Sequence, residues 1–203
     1  MRARRTVVMC GVAVLAIATG TVETAPGPGF SRIIAFGTSL SDPGNAFTLL
    51  GETNTPPNYD MDPLLVPSAP YGRGGHHFSN GATWVEQYAG ATALAGSARP
   101  AFAERGAATN YAVGAARACD DGVNLNLTAQ VDAFLQDVGG IAPVDALYVV
   151  EFGGNDIRDA LVAFPNGHGP VLQCAIQTIA GNIESCTPQA RERFSCGALP
   201  MSD

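Results

Sequence analysis

Two short apolar runs in this sequence have the length and composition of buried β-strands. The first covers residues 32–36 and centres on Ile-Ile-Ala-Phe, and the second covers residues 146–152, Ala-Leu-Tyr-Val-Val-Glu-Phe. Continuous apolar runs of this length are typical of strands that are covered on both faces of a sheet. Residues 108–114 predict a third, short strand that ends in a turn at Gly114.

Between and after these runs, apolar residues recur at helical spacing. The pattern predicts helices over residues 82–89, 126–138 and 157–162, with Gly139-Gly140 stopping the second, and one more helix marked by Leu172, Ile176, Ile179 and Ile183. Residues 51–77 are rich in Pro, Asn and Gly and predict an irregular surface excursion. Strands that alternate with helices indicate a single α/β domain with a mainly parallel sheet.

Composition supports a globular protein and excludes some partners. Hydrophobic residues make up 46% of the chain and charged residues 14%, and the net charge is -7. Phosphate attachment needs clustered Lys and Arg, so we expect no nucleic-acid partner. No spacing of His, Cys, Asp or Glu suggests a metal site, and no nucleotide fingerprint is present, so we expect no metal and no organic cofactor. The pattern does not define an oligomeric state.

The N-terminus predicts a secretory signal at residues 1–20. Met1–Arg5 is basic, Val7–Ala18 is apolar but too short to span a bilayer, and Ala18-Thr19-Gly20 fits a cleavage site. A retained N-terminal anchor is the alternative. After removal of the signal we expect a secreted or periplasmic protein with no stable membrane span, beginning with a Pro/Gly-rich leader at residues 21–31. In such a compartment Cys119 and Cys174 either form a disulfide or remain two buried thiols.

Three polar or glycine positions follow the three predicted strands. Ser39 lies in a glycine-flanked turn after the first strand, Gly114 ends the second, and Asn155 follows the third. Ligands bind at the carboxyl ends of parallel strands, so these residues could share one crevice, with Ser39 as a candidate nucleophile. The alternative is structural: Ser39 or Ser41 caps a helix, Gly114 serves turn geometry, and Asn155 is a helix cap.

Three blocks resemble the GDSL lipase/esterase family of the SGNH-hydrolase superfamily. They are Phe-Gly-Thr-Ser-Leu-Ser-Asp-Pro-Gly-Asn at 36–45, Asn-Tyr-Ala-Val-Gly-Ala at 110–115 and Gly-Gly-Asn-Asp at 153–156. The resemblance implies a three-layer, flavodoxin-like α/β sandwich that hydrolyses small-molecule or lipid esters without a cofactor. It implies Ser39 as nucleophile and the Gly114 amide and Asn155 side chain as oxyanion donors. Two positions depart from the family pattern: Thr38 stands where it has Asp, and Ala115 where it often has Gly.

The family's last block, Asp-x-x-His, has no counterpart here. His76 and His77 are expected on the surface and His168 in a turn. The resemblance covers residues 32–184, so we expect an incomplete domain followed by a non-family tail at 185–203. With suitable codons, reading this tail one base earlier restores the family-like Leu-His-Ala-Ala-Gly-Ala-Arg, which suggests a frame slip near Ser185. The alternatives to an exported esterase are therefore a catalytically dead, truncated remnant and an exported ester- or glycan-binding module using Tyr59, Tyr71 and Phe78.

Overall fold

The centre of the fold is a pair of parallel strands. The structure, a computed structural model, describes residues 29–49, 76–79 and 81–186. The predicted signal, most of the predicted excursion and residues 187–203 of the tail lie outside these residues. Strand β1 (Arg32–Gly37) pairs with β2 (Ala146–Glu151) in a register that places Arg32 opposite Ala146 and Gly37 opposite Glu151. Both predicted strands are confirmed.

A third segment, residues 109–113, runs parallel to β1 along its other edge. The N–H and C=O of Ala35 bond to Thr109 and Tyr111, and the Val113 N–H donates to the Gly37 carbonyl at 3.1 Å. The predicted strand over 108–114 is nevertheless reduced to bridges, in which Asn110 pairs with Ala35 on one side and Pro100 on the other. Proline has no N–H to donate, so a ladder cannot extend along that side.

Five α-helices surround the strands within the described residues. They are α1 (Asn45–Leu49), α2 (Trp84–Ala91), α3 (Leu127–Asp137), α4 (Gly154–Val162) and α5 (His168–Cys186), with a 3-10 helix at Ala95–Ala98. Thr83 begins α2 with a capping box, because its side chain accepts from the Glu86 N–H while Glu86 accepts from the Thr83 N–H. Gly139 and Gly140, with φ of 64° and 82°, follow the end of α3 as predicted.

Helices pack on both faces of the sheet. One face, which includes Ile34 and Phe36, packs against α3 and the end of α5. The opposite face, which includes Ile33 and Ala35, packs against Val85 and Ala89 of α2. The predicted α/β class with a parallel sheet is confirmed at this level. Beside β2 the first face borders an apolar cavity of about 480 Å³, which Tyr148, Val150, Ile183 and Cys186 help to line.

Candidate functional site

The register of the sheet brings the three predicted site segments to one edge. Gly37, Val113 and Glu151 lie at the same level, because Gly37 is opposite Glu151 and accepts from the Val113 N–H. Ser39 follows Gly37 by two residues, Gly114 follows Val113 directly, and Asn155 follows Glu151 by one short turn. All three therefore lie at the carboxyl ends of adjacent parallel segments, where α/β folds bind ligands.

Ser39 occupies a tight turn in which the residues on either side of it are hydrogen-bonded to each other. The Ser41 N–H donates to the Thr38 carbonyl at 3.0 Å, which closes the turn around Ser39. Ser39 is partly exposed. In the described part of the chain no side chain or backbone group hydrogen-bonds its hydroxyl. Neither Ser39 nor Ser41 caps a helix, since the first N–H groups of α1 donate instead to Asp42.

Asp42 organises the loop between Ser39 and α1. Its Oδ1 accepts from the N–H groups of Gly44 and Asn45, at 2.8 and 2.6 Å, and its Oδ2 accepts from those of Ala46 and Gly114, at 3.1 and 2.8 Å. Complete burial raises the pKa of this carboxyl to about 6, although the four N–H groups lower it. The hydrogen bond from the Gly114 N–H ties the loop that follows Ser39 to the segment that ends at Gly114.

Gly114 is enclosed by Asp42 on one side and Phe78 on the other. Its N–H, the predicted oxyanion donor, donates to Asp42 Oδ2 in this structure. A Cβ atom at position 114 would lie 2.3 Å from Cζ of Phe78, so the aromatic ring closes over the glycine backbone. Only glycine allows this approach. The glycine thus has a packing role, and its oxyanion role stays a prediction.

Asn155 lies in the first turn of α4, where its side chain crosses to the neighbouring loop. Nδ2 donates to the Ala116 carbonyl at 2.7 Å, and the amide retains a second N–H that can donate to a ligand. The helix cap is Gly153, with φ of 111°, so the alternative that Asn155 caps the helix is wrong. Asp156 is buried and accepts from the N–H groups of Ala118 and Cys119, and it thereby supports the loop to which they belong.

A disulfide and an ion pair hold the loop after Gly114 against the helices. Cys119 and Cys174 are bonded, with their Cα atoms 5.9 Å apart, so the disulfide alternative is confirmed over two separate thiols. Arg117 binds Asp159 of α4 and also donates to the Ala115 carbonyl at 2.8 Å. The hydrogen bond that Arg117 donates to Asp159 raises the pKa of Arg117, which keeps the guanidinium charged.

These loops carry the motifs of a known family. A family model described as GDSL-like Lipase/Acylhydrolase matches residues 33–202. The chain belongs to this family. Its description supports ester hydrolysis as the general activity. Among curated proteins none matches the chain. The matched range also includes residues 185–202, where the sequence analysis places a non-family tail; the boundary at 184 stays a prediction.

Two of the three histidines lie elsewhere than the sequence predicts. His77 is wrongly predicted as a surface residue: it is 6% exposed, and its Nε2 lies 2.9 Å from Glu86 Oε2. His76 stacks on Phe47 with ring centroids 3.8 Å apart. His168 is wrongly placed in a turn, because it begins α5. Among the described residues no histidine hydrogen-bonds Ser39.

Several residues that shape the GDSL site escaped the sequence analysis. Gln130 of α3 is buried and bonds both the N–H and the carbonyl of Gly37 at 3.0 Å. Asn45 donates to the Asn110 and Ala112 carbonyls, which joins the first two family blocks. Glu151 accepts from the Thr38 N–H at 3.1 Å. The sequence does signal two of them. Gln130 is a polar side chain inside an apolar helix face, and Glu151 is an acidic residue that ends an apolar strand.

Two features are absent from this GDSL member within residues 29–49, 76–79 and 81–186. No group of three or more His, Cys, Asp or Glu side chains there is arranged to hold a metal ion. No helix in the same residues has the length and apolar character needed to cross a membrane.

Proposed function

We propose that this chain is an exported serine ester hydrolase that forms an acyl-enzyme on Ser39. The observation that carries the proposal is the placement of Ser39. Its hydroxyl lacks a hydrogen-bond partner among the described residues, and the chain segments carrying Gly114 and Asn155 lie on the two sides of its strand. Family membership supports ester hydrolysis as the reaction class.

In the proposed reaction, Ser39 Oγ attacks the ester carbonyl and forms a tetrahedral oxyanion. The Ser39 and Gly114 N–H groups and Asn155 Nδ2 would donate to that oxygen, and collapse of the intermediate would release the alcohol and leave the acyl group on Ser39. Water then cleaves the acyl-enzyme. The Gly114 N–H must exchange its bond to Asp42 for one to the oxyanion, whereas Asn155 can donate with its second N–H and keep Ala116.

The proton acceptor distinguishes this proposal from a second candidate. Attack by serine requires a base, and within the described residues no carboxylate or imidazole hydrogen-bonds Ser39. His77 is engaged by Glu86, and His168 Nδ1 lies 2.9 Å from the Pro165 carbonyl oxygen. These contacts favour, as the second candidate, a catalytically deficient remnant that keeps the nucleophile and the oxyanion donors but turns over slowly.

Export is part of the proposal and rests on the predicted signal at residues 1–20. The Cys119–Cys174 disulfide supports it, since disulfides persist mainly in oxidising compartments. Expression in a bacterial host, followed by cell fractionation and N-terminal sequencing, should give a non-cytoplasmic protein that begins near Thr21. A cytoplasmic protein that retains Met1 would contradict export.

The nucleophile is tested by labelling with a fluorophosphonate probe, read by intact-protein mass spectrometry. We expect one phosphonyl group on the wild-type chain, mapped to Ser39, and none on Ser39→Ala. Ser185→Ala, at an exposed position of α5, is the matched control and should keep the label. Fast labelling together with rapid turnover of short-chain nitrophenyl esters supports the esterase, whereas slow labelling without turnover supports the remnant. No label at all would favour an ester- or glycan-binding module.

A further inference from the structure

A single carboxylate contacts both sides of the Ser39 turn. Oε2 of Glu151, at the end of β2, accepts from the Thr38 N–H at 3.1 Å, from Thr38 Oγ1 at 3.0 Å and from Ser41 Oγ at 3.2 Å. Thr38 precedes Ser39, and Ser41 ends the turn. The carboxylate therefore fixes the residues around the proposed nucleophile while making no hydrogen bond to the nucleophile itself.

The contact is oriented by a second hydrogen bond to Ser41. Trp84 Nε1 donates to Ser41 Oγ at 3.0 Å, so the hydroxyl accepts from the indole and its one hydrogen points to Glu151. The chain Trp84–Ser41–Glu151 links the first residue of α2 to the end of β2 across the turn. Because Trp84 can only donate and the Glu151 carboxylate accepts, the two hydrogen bonds together fix the position of the Ser41 hydroxyl.

Gly37 makes the close approach of the carboxylate possible. A Cβ atom at this position would lie 3.2 Å from Glu151 Oε2 and 3.0 Å from Cβ of Ser41. Even a methyl group there would require Glu151 or Ser41 to shift by a few tenths of an ångström. The absence of a side chain at 37 and the presence of an acid at 151 are thus two parts of the same arrangement.

Thr38 is the natural partner of this carboxylate. The family pattern has Asp at this position, and an aspartate here would bring a second negative charge to the oxygens that now accept from the threonine hydroxyl. Like charges at such a distance disfavour each other. A hydroxyl that donates at position 38 and a carboxylate that accepts at position 151 are therefore complementary, which accounts physically for the departure from the family pattern.

We propose that Glu151 is a positioning residue for the Ser39 nucleophile and that Thr38 is its matched donor. The inference rests on the proposed function of Ser39. If Glu151 acted only through electrostatics, its negative charge would disfavour the oxyanion, and removing that charge would speed the attack by Ser39. If Glu151 acts by holding the turn, removing it slows the attack. The two roles therefore predict opposite changes in the rate of attack when the charge of Glu151 is removed.

The test measures the second-order rate of fluorophosphonate labelling at Ser39 and, separately, the urea midpoint of each variant. Thr38→Asp should slow labelling at least about tenfold, since a misplacement of about 1 Å can cost ~10²-fold. Glu151→Gln should slow it less, because one amide oxygen still accepts. The double variant should label faster than Thr38→Asp alone, because the side-chain amide introduced at position 151 can donate to the new carboxylate. Glu184→Gln, on the exposed face of α5, is the matched control and should label at the wild-type rate.

Each outcome decides the inference. A folded Glu151→Gln that labels at or above the wild-type rate, with Thr38→Asp unaffected, would overturn the positioning role while leaving Ser39 as the nucleophile. Changes in urea midpoint without changes in the labelling rate of the folded protein would show a structural role only, and would also overturn it. A wild-type chain that takes no label would overturn the proposed function itself, and this inference with it.

Discussion

Replacing Asp42 by asparagine tests whether burial or hydrogen bonding controls the charge of the carboxylate next to Gly114. The side chain is fully buried, and the N–H groups that donate to it include those of Asn45 and Gly114. Burial raises the pKa from 3.8 to about 6 in spite of these donors. Desolvation therefore disfavours the ionised form more than the N–H groups favour it. Asparagine has nearly the same shape and does not titrate.

The raised pKa fixes the sign of the pH dependence of stability. Between pH 3.8 and about 6 the folded state binds more protons at Asp42 than the unfolded state does, so the free energy of unfolding falls as the pH rises. The stabilising contribution of the protonated carboxyl is complete below pH 3.8 and is lost as the pH passes about 6. A shift of about two pKa units corresponds to about 3 kcal/mol.

Urea unfolding of wild type and Asp42→Asn across this pH range measures the effect, with the fluorescence of Trp84 and circular dichroism as probes. The wild type should lose about 3 kcal/mol relative to Asp42→Asn as the pH rises through the window. Asp132→Asn, at an exposed position of α3, should keep the wild-type slope. If the wild type instead gains stability relative to Asp42→Asn with rising pH, the backbone donors dominate and the reasoning is refuted.

Paired serine substitutions of Cys119 and Cys174 should lower the free energy of unfolding by up to about 4 kcal/mol, because the disulfide closes a loop of sequence separation 55; an unchanged urea midpoint would contradict this. Asn155→Ala should slow labelling of Ser39 about 10²–10³-fold with circular dichroism unchanged, and an unaffected rate would exclude it as an oxyanion donor. Gly114→Ala should be destabilised, because the added Cβ atom requires the Phe78 ring to move, and Phe78→Ala should recover much of that loss; additive losses in the double variant would show that the contact with Phe78 is not the cause.

Local patterns predict the elements whose signals are strong and complete. β1 and β2 are continuous apolar runs, and α3 has both helical spacing and a glycine stop. The predicted helix over 157–162 starts three residues later than α4 does, and the predicted last helix is marked only from Leu172, four residues after the start of α5. Gly153 adopts a positive φ, so that α4 begins at once at Gly154. α5 begins at His168 because proline at its third position is tolerated in a first turn, where its missing N–H is not needed.

The sequence predicts which motifs form the candidate site, but it does not predict the hydrogen bonds that hold these motifs together. Ser39, Gly114 and Asn155 could be placed at one sheet edge because they follow predicted parallel strands. The hydrogen bonds of Glu151 to Thr38, and of Gln130 to Gly37, join residues far apart in sequence, so no local pattern encodes them. The burial of His77 depends in the same way on Glu86, which sequence reasoning treated only as part of a helix.

The pairing of β1 has a consequence for how the protein is made. Its neighbours are residues 109–113 and 146–151, so β1 has no strand to join while the first hundred or so residues emerge from the ribosome. Contacts of such long range form slowly, since the loop must close before they are gained. The nascent chain therefore forms the pairing of β1 with residues 109–113, and then with β2, only after those residues have been made. The Ser39 turn, whose flanking residues Thr38 and Ser41 donate hydrogen bonds to Glu151, gains these contacts only after β2 has been made.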